Sequence, residues 1–118
     1  MASSSYVPVR GEIVWIYSRS GKGTYLPSGR PAVTISPEAY NRRAGLALFC
    51  PITDEEKGYP FEVAIPEGLP ATGIILADQL ESVDWRSGTV VRICALPAEV
   101  MDDVLRKAAA LLDDEDRS

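Results

Sequence analysis

The chain reads as seven short β-type runs separated by turn formers, followed by a single helical stripe. The runs are Glu12–Tyr17, Pro31–Ile35, Leu46–Cys50, Phe61–Ile65, Ile74–Ala77, Glu81–Trp85 and Thr89–Cys94, each rich in β-branched or aromatic residues. Nine glycines and nine prolines in 118 residues supply the punctuation, so no run is long enough to build an extended open sheet. Short strands with frequent turns leave many edges, and closing the sheet into a small barrel removes them. Between the second and third runs, Ser36 as N-cap, Pro37 at the first helical position and Glu38 in the first turn predict a short helix to Arg43, ended by Gly45. From Pro97 to Leu112, the residues Met101, Val104, Leu105, Ala108, Leu111 and Leu112 recur at helical spacing and predict an amphipathic C-terminal helix packed on the barrel. The expected class is therefore mainly β (α+β). It is one domain over 1–118 with its core in about 7–112 and flexible ends at 1–5 and 113–118.

The longest apolar runs, such as Gly73–Ala77, are far too short to cross a bilayer, so no membrane contact is expected. Met1–Ser5 lacks the basic start and apolar stretch of a secretion signal and reads as a frayed terminus. Cys50 and Cys94 each sit inside an apolar run, which suits buried free thiols in a reducing, cytoplasmic setting. With no histidine in the chain, two thiols make a poor metal site, and neither a metal nor another cofactor is expected. The net charge of −5 argues against a nucleic-acid binder, but the charge is unevenly spread. Residues 1–60 carry seven Lys/Arg against five Asp/Glu, and residues 61–118 carry five against twelve. A basic groove built from the first half remains compatible with an RNA ligand.

The chemistry concentrates in that first half. Arg30 precedes Pro31, which biases it toward an extended backbone at a strand entrance, beside the long loop Ser18–Gly29. Read blandly, Arg30 is a solvated or salt-bridged surface charge; read functionally, its planar donors match phosphate oxygens. Thr53, after Cys50-Pro51-Ile52, is either a strand-end threonine bonded to local backbone or a hydroxyl donor at a rim. Arg19, Lys22 and Lys57 are candidate phosphate contacts, each equally readable as an ordinary solvated cation. Gln79 is a candidate base-edge reader or a structural amide, and Trp15 and Trp85 read as core or interface residues.

Taken together, Arg30-Pro31-Ala32-Val33, Ser36-Pro37, Tyr40-Asn41, Lys57-Gly58-Tyr59-Pro60-Phe61-Glu62-Val63 and Ala77-Asp78-Gln79 resemble the MazF/PemK (Kid) family of toxin endoribonucleases, the mRNA interferases, from about Val7 to Leu112. The resemblance implies a small SH3-like (CcdB/MazF-like) barrel with appended helices, acting as a homodimer. It also implies metal-independent cleavage of single-stranded RNA at short sequence motifs. The products would be 2′,3′-cyclic phosphate and 5′-hydroxyl ends, and a cognate MazE-like antitoxin would neutralise the activity. Its catalytic positions map onto Arg30 and Thr53. Family members often carry Gly-Ser-Glu-Gln in the loop where this chain has Gly23-Thr24-Tyr25-Leu26, so a loop carboxylate is missing and Tyr25 stands ready to stack on a base. Two alternatives come from other classes: a CcdB-like non-enzymatic toxin that binds DNA gyrase, and a catalytically silent binding barrel.

Overall fold

Each predicted run becomes a strand or helix in a computed structural model that describes residues 6–17 and 29–113. The expectations for the two termini, for the loop up to Ser28, and for Arg19, Lys22 and Tyr25 lie outside those residues. The strands are β1 (Glu12–Tyr17), β2 (Arg30–Thr34), β3 (Leu46–Thr53), β4 (Glu62–Ala64), β5 (Ile74–Leu76), β6 (Glu81–Asp84) and β7 (Thr89–Ala95). Helix α1 (Glu38–Ala44) follows β2, and α2 (Ala98–Ala110) closes the described chain.

The strand β3 organises the sheet because it pairs on both edges and changes partner along its length. On one edge it meets β2, with Val33 across from Cys50 and Ala32 across from Pro51. On the other, Leu46–Phe49 pair with β6, whereas Ile52 and Thr53 pair with β5. The full order is β4-β5-β3-β2-β1-β7, all antiparallel, with β6 off this path on β3. Strand alternation then sorts the apolar residues onto two faces. Ile13, Val33, Cys50, Ile75 and Val63 join Met101 and Val104 of α2 in one core cluster. Val14, Ile16, Ala32, Ala47, Phe49 and Trp85 form the second. Between Ile13 and Val14 the β1–β7 register slips past Ile93, a bulge of the kind that bends a sheet.

Four expectations need correction. The sheet is mainly β and of the expected topology class, but among the described residues it is not closed: β7 pairs only with β1, and β4 only with β5. Helix α2 takes the place of a closing strand beside β4, where Lys107 Nζ donates to the Glu62 carbonyl at 3.0 Å. Second, β3 runs three residues further than expected, through Pro51 to Thr53. Proline only lacks an N–H, and β3 has partner strands enough to continue past it. Third, Ser36 does not cap α1. Pro37 is the N-cap, and the Ser36 hydroxyl instead donates to Asn41 Oδ1 and accepts from the Leu48 backbone N–H at 2.8 Å. Fourth, Leu111 and Leu112 lie beyond α2 and are exposed, so its buried stripe is Met101, Val104 and Ala108.

Asn41, fully buried, ties these pieces together. Its Nδ2 donates to the carbonyls of Pro8 (2.8 Å) and Ser36 (3.1 Å), and its own carbonyl accepts from Trp85 Nε1 (3.1 Å). Trp85 is thereby a core residue, as expected.

Candidate functional site

Two clefts draw on one stretch of chain, with Gln79 lining one and Glu81 the other. The first is built around Arg30. This residue opens β2 across from Ile16 of β1, so its side chain shares the sheet face of Ile16 and Ala32. On the same face Glu81 of β6 stands across from Phe49. The two meet: Arg30 Nη1 donates to Glu81 Oε2 in an ion pair of two partly exposed side chains. The cleft beside them, about 380 Å³, is lined also by Tyr17, Val83, Trp85 and Val90. Arg30 keeps its remaining N–H groups uncommitted among the described residues.

The second cleft, about 120 Å³, contains Thr53, Lys57 and Gln79, together with Glu55, Tyr59, Glu62, Leu76 and Asp78. Thr53 is fixed by its backbone: it pairs with Ile74, and Gly73 crosses so near that a Cβ there would sit 2.8 Å from the Thr53 carbonyl oxygen. Gly73 also has φ +130°, a conformation that side chains disfavour, so glycine is required at this crossing. The Thr53 hydroxyl accepts from the Glu55 N–H at 3.2 Å and makes no donor bond among the described residues. The following loop is held by Glu62, whose two carboxylate oxygens accept from the backbone N–H groups of Lys57 and Gly58, each at 3.0 Å. Lys57 itself is exposed, with Nζ 4.0 Å from Glu55.

Thr53, Lys57 and Gln79 are thus brought to one cavity, and Arg30 lines the other. The link between them is the β2–β3 ladder. Its last pair is Ala32 across from Pro51, with Arg30 two residues before the one and Thr53 two residues after the other. The described rim is of mixed charge, not basic: Arg30 and Lys57 stand among Glu55, Glu62, Asp78, Glu81 and Asp84. Behind it, burial first and then the charges of Asp78 and Glu81 push the Cys50 thiol up to about 12. Cys50 and Cys94 are both free and buried, as expected. Among the described residues no group of three or more metal-binding side chains is assembled, and no helix is long and apolar enough to cross a membrane.

Glu81 was not singled out by sequence, and Glu62 entered only as part of the Lys57–Val63 string. The signal for Glu81 is its two-residue spacing from Val83, which puts it on the inner face of a strand where a carboxylate needs a partner. No comparable signal marks Glu62, because its partners are backbone groups of a loop.

The profile of the family described as "PemK-like, MazF-like toxin of type II toxin-antitoxin system" matches residues 9–112. The endoribonuclease toxin MazF of Escherichia coli strain K12 is 43% identical over 84 residues, which is 71% of this chain and 75% of the relative. The endoribonuclease PemK of Escherichia coli is 28% identical over 108 residues, covering 87% and 80%. Among solved structures, the MazE–MazF crystal structure (form II) from Deinococcus radiodurans superposes with a TM-score of 0.79 at 42% identity, covering 92% of this chain and 97% of that one.

Proposed function

This chain belongs to the PemK-like, MazF-like toxin family of type II toxin–antitoxin systems, and on that premise we propose that Arg30 and Thr53 are its reacting pair. The protein is an endoribonuclease toxin. Its substrate in this reading is single-stranded RNA, cut by attack of a ribose 2′-hydroxyl on the adjacent phosphorus. The products are a 2′,3′-cyclic phosphate and a 5′-hydroxyl. Because the nucleophile belongs to the substrate, the protein's task is to hold the phosphate, stabilise the charge that develops on it, and manage protons.

The observation that supports the reading is the β2–β3 ladder, whose last pair, Ala32 across from Pro51, lies two residues from Arg30 on one strand and from Thr53 on the other. Arg30 supplies planar paired N–H donors to the non-bridging oxygens, and the Thr53 hydroxyl adds another donor. Lys57 and Gln79, in the cavity of Thr53, are suited to a flanking phosphate and a base edge; Arg19, Lys22 and Tyr25, outside the described residues, are further proposed RNA contacts. The working unit is a homodimer, and a MazE-like antitoxin is the regulatory partner; the related Deinococcus toxin was crystallised with MazE. The two buried free thiols suit a reducing cytoplasm. A gyrase-binding role like that of CcdB is not favoured, since the matched family and the curated relatives are endoribonuclease toxins.

The test is incubation of purified protein with a long RNA in EDTA, followed by mapping of both ends. Discrete cuts with cyclic-phosphate termini are expected, and intact RNA would refute the reading. Arg30→Ala and Thr53→Val should each lower the cleavage rate by about 10²–10³. Arg30→Lys should fall nearly as far as Arg30→Ala, because an ammonium cannot reproduce the paired donors.

A further inference from the structure

The reaction above needs a proton acceptor for the 2′-hydroxyl, and the usual one is absent, since the chain has no histidine. A guanidinium stays protonated near neutral pH, and a threonine hydroxyl and a lysine ammonium are donors there. The carboxylates of the two clefts are the remaining groups, and they are not equivalent. Glu62 spends both oxygens on the Lys57 and Gly58 N–H groups. Asp84 accepts from the Ser87 N–H at 3.3 Å, Glu55 faces the Lys57 ammonium, and Asp78, in the cavity of Thr53, makes no bond to Arg30 among the described residues. Glu81 is the one bonded to Arg30, through Oε2, while its Oε1 accepts no hydrogen bond among the described residues.

We infer that Glu81 is the general base of the reaction, an inference that rests on the nuclease reading above. The Arg30 guanidinium serves as a spacer. One Nη1–H is held by Glu81, and the other N–H groups are left for a phosphate, so a phosphate bound to Arg30 would share its guanidinium with this carboxylate. The 2′-O–H bond breaks with its proton passing to Glu81 Oε1, and the 2′-oxygen bonds to phosphorus. The P–O5′ bond breaks, and the departing 5′-oxygen takes a proton from water. Glu81 afterwards returns its proton to solvent, and no oxidant, reductant or other reactant is consumed.

The charged and titratable groups around Glu81 are Arg30 of β2, Tyr17 of β1, Cys50 of β3, Asp84 of β6 itself and Asp78 just before it.

Single-turnover cleavage of a short RNA in EDTA, measured across acid and neutral pH for wild type, Glu81→Gln and Glu81→Asp, tests this. Wild-type cleavage should fall on acidification. Glu81→Gln, isosteric and only partly buried, should lose about 10²–10⁴ in rate and lose that acid limb. Its affinity for the same RNA with a 2′-deoxy sugar at the cut should stay within about threefold of wild type, marking a chemical role. Glu81→Asp should recover part of the rate. Cleavage by Glu81→Gln within about threefold of wild type, or faster than wild type, would overturn the inference, as would a wild-type rate without an acid limb. Those outcomes leave the nuclease reading intact so long as Arg30→Ala is inactive; a wild type that leaves RNA whole would remove both.

Discussion

Cys50 shows how a single side chain reports on the packing behind the clefts. Its thiol is fully buried, and the charges of Asp78 and Glu81 add to the effect of burial, so the folded protein holds it protonated up to about pH 12. In the unfolded chain a thiol ionises near pH 8.5–9. The sign follows: above about pH 9 the unfolded state gives up a proton that the folded state retains, so stability falls as pH rises, with a slope approaching ~1.4 kcal/mol per unit, until pH nears 12. Urea unfolding at pH 8, 9 and 10 should show this decline, and Cys50→Ala should flatten it. Burial of this thiol was legible from its apolar run; the acids near it were not, because Asp78 and Glu81 reach β3 only through strand pairing distant in sequence. The same distinction holds for the proposed reacting pair. Arg30 and Thr53 were legible as types at strand ends, but Arg30's engagement with Glu81 depends on β6 pairing with β3, which no local pattern encodes.

At the scale of elements, the Gly/Pro punctuation located all seven strands, since each turn former ends a run before its period is lost. What it misjudged were ends: β3 continues through Pro51 because its partners compensate for one missing N–H, and α1 starts at Glu38 because Ser36 has better partners in Asn41 and Leu48. The loop from Asp54 to Pro60 had no readable structure in sequence, and bonds to Glu62 at the start of β4 hold it at Lys57 and Gly58. The two bonds from Lys57 and Gly58 to one carboxylate are charge-assisted but partly solvated, so their loss costs on the order of 1 kcal/mol of local stability. Glu62→Ala should therefore speed amide hydrogen exchange at residues 57 and 58 by about five- to tenfold while leaving exchange in β1 and β2 unchanged. RNA cleavage should drop by less than tenfold, because Lys57 loses its position and not its charge. Unaltered exchange at both amides would show that the loop is held by something other than Glu62.

At the scale of the molecule, the puzzle is how a chain of net charge −5 holds a polyanion. Overall acidity sets a repulsive background, and the described rim adds five carboxylates to its two cations. Binding in the proposed mode must then rest on a few close contacts. Each phosphate neutralised releases counterions, so log affinity falls against log salt by about 0.7 per contact on a single strand. A groove using Arg30, Lys57, Arg19 and Lys22 predicts a slope near −3, far shallower than a basic nucleic-acid binder with many contacts. Removing Lys57 by Lys57→Ala should reduce the slope by about 0.7. Arg106→Ala should leave it unchanged, because Arg106 lies on α2, is paired with Asp103 and lines neither cleft. Binding of a 2′-deoxy-substituted RNA from about 50 to 300 mM salt gives all three slopes, and equal effects from Lys57 and Arg106 would mean that a diffuse field, not a local set of contacts, holds the strand.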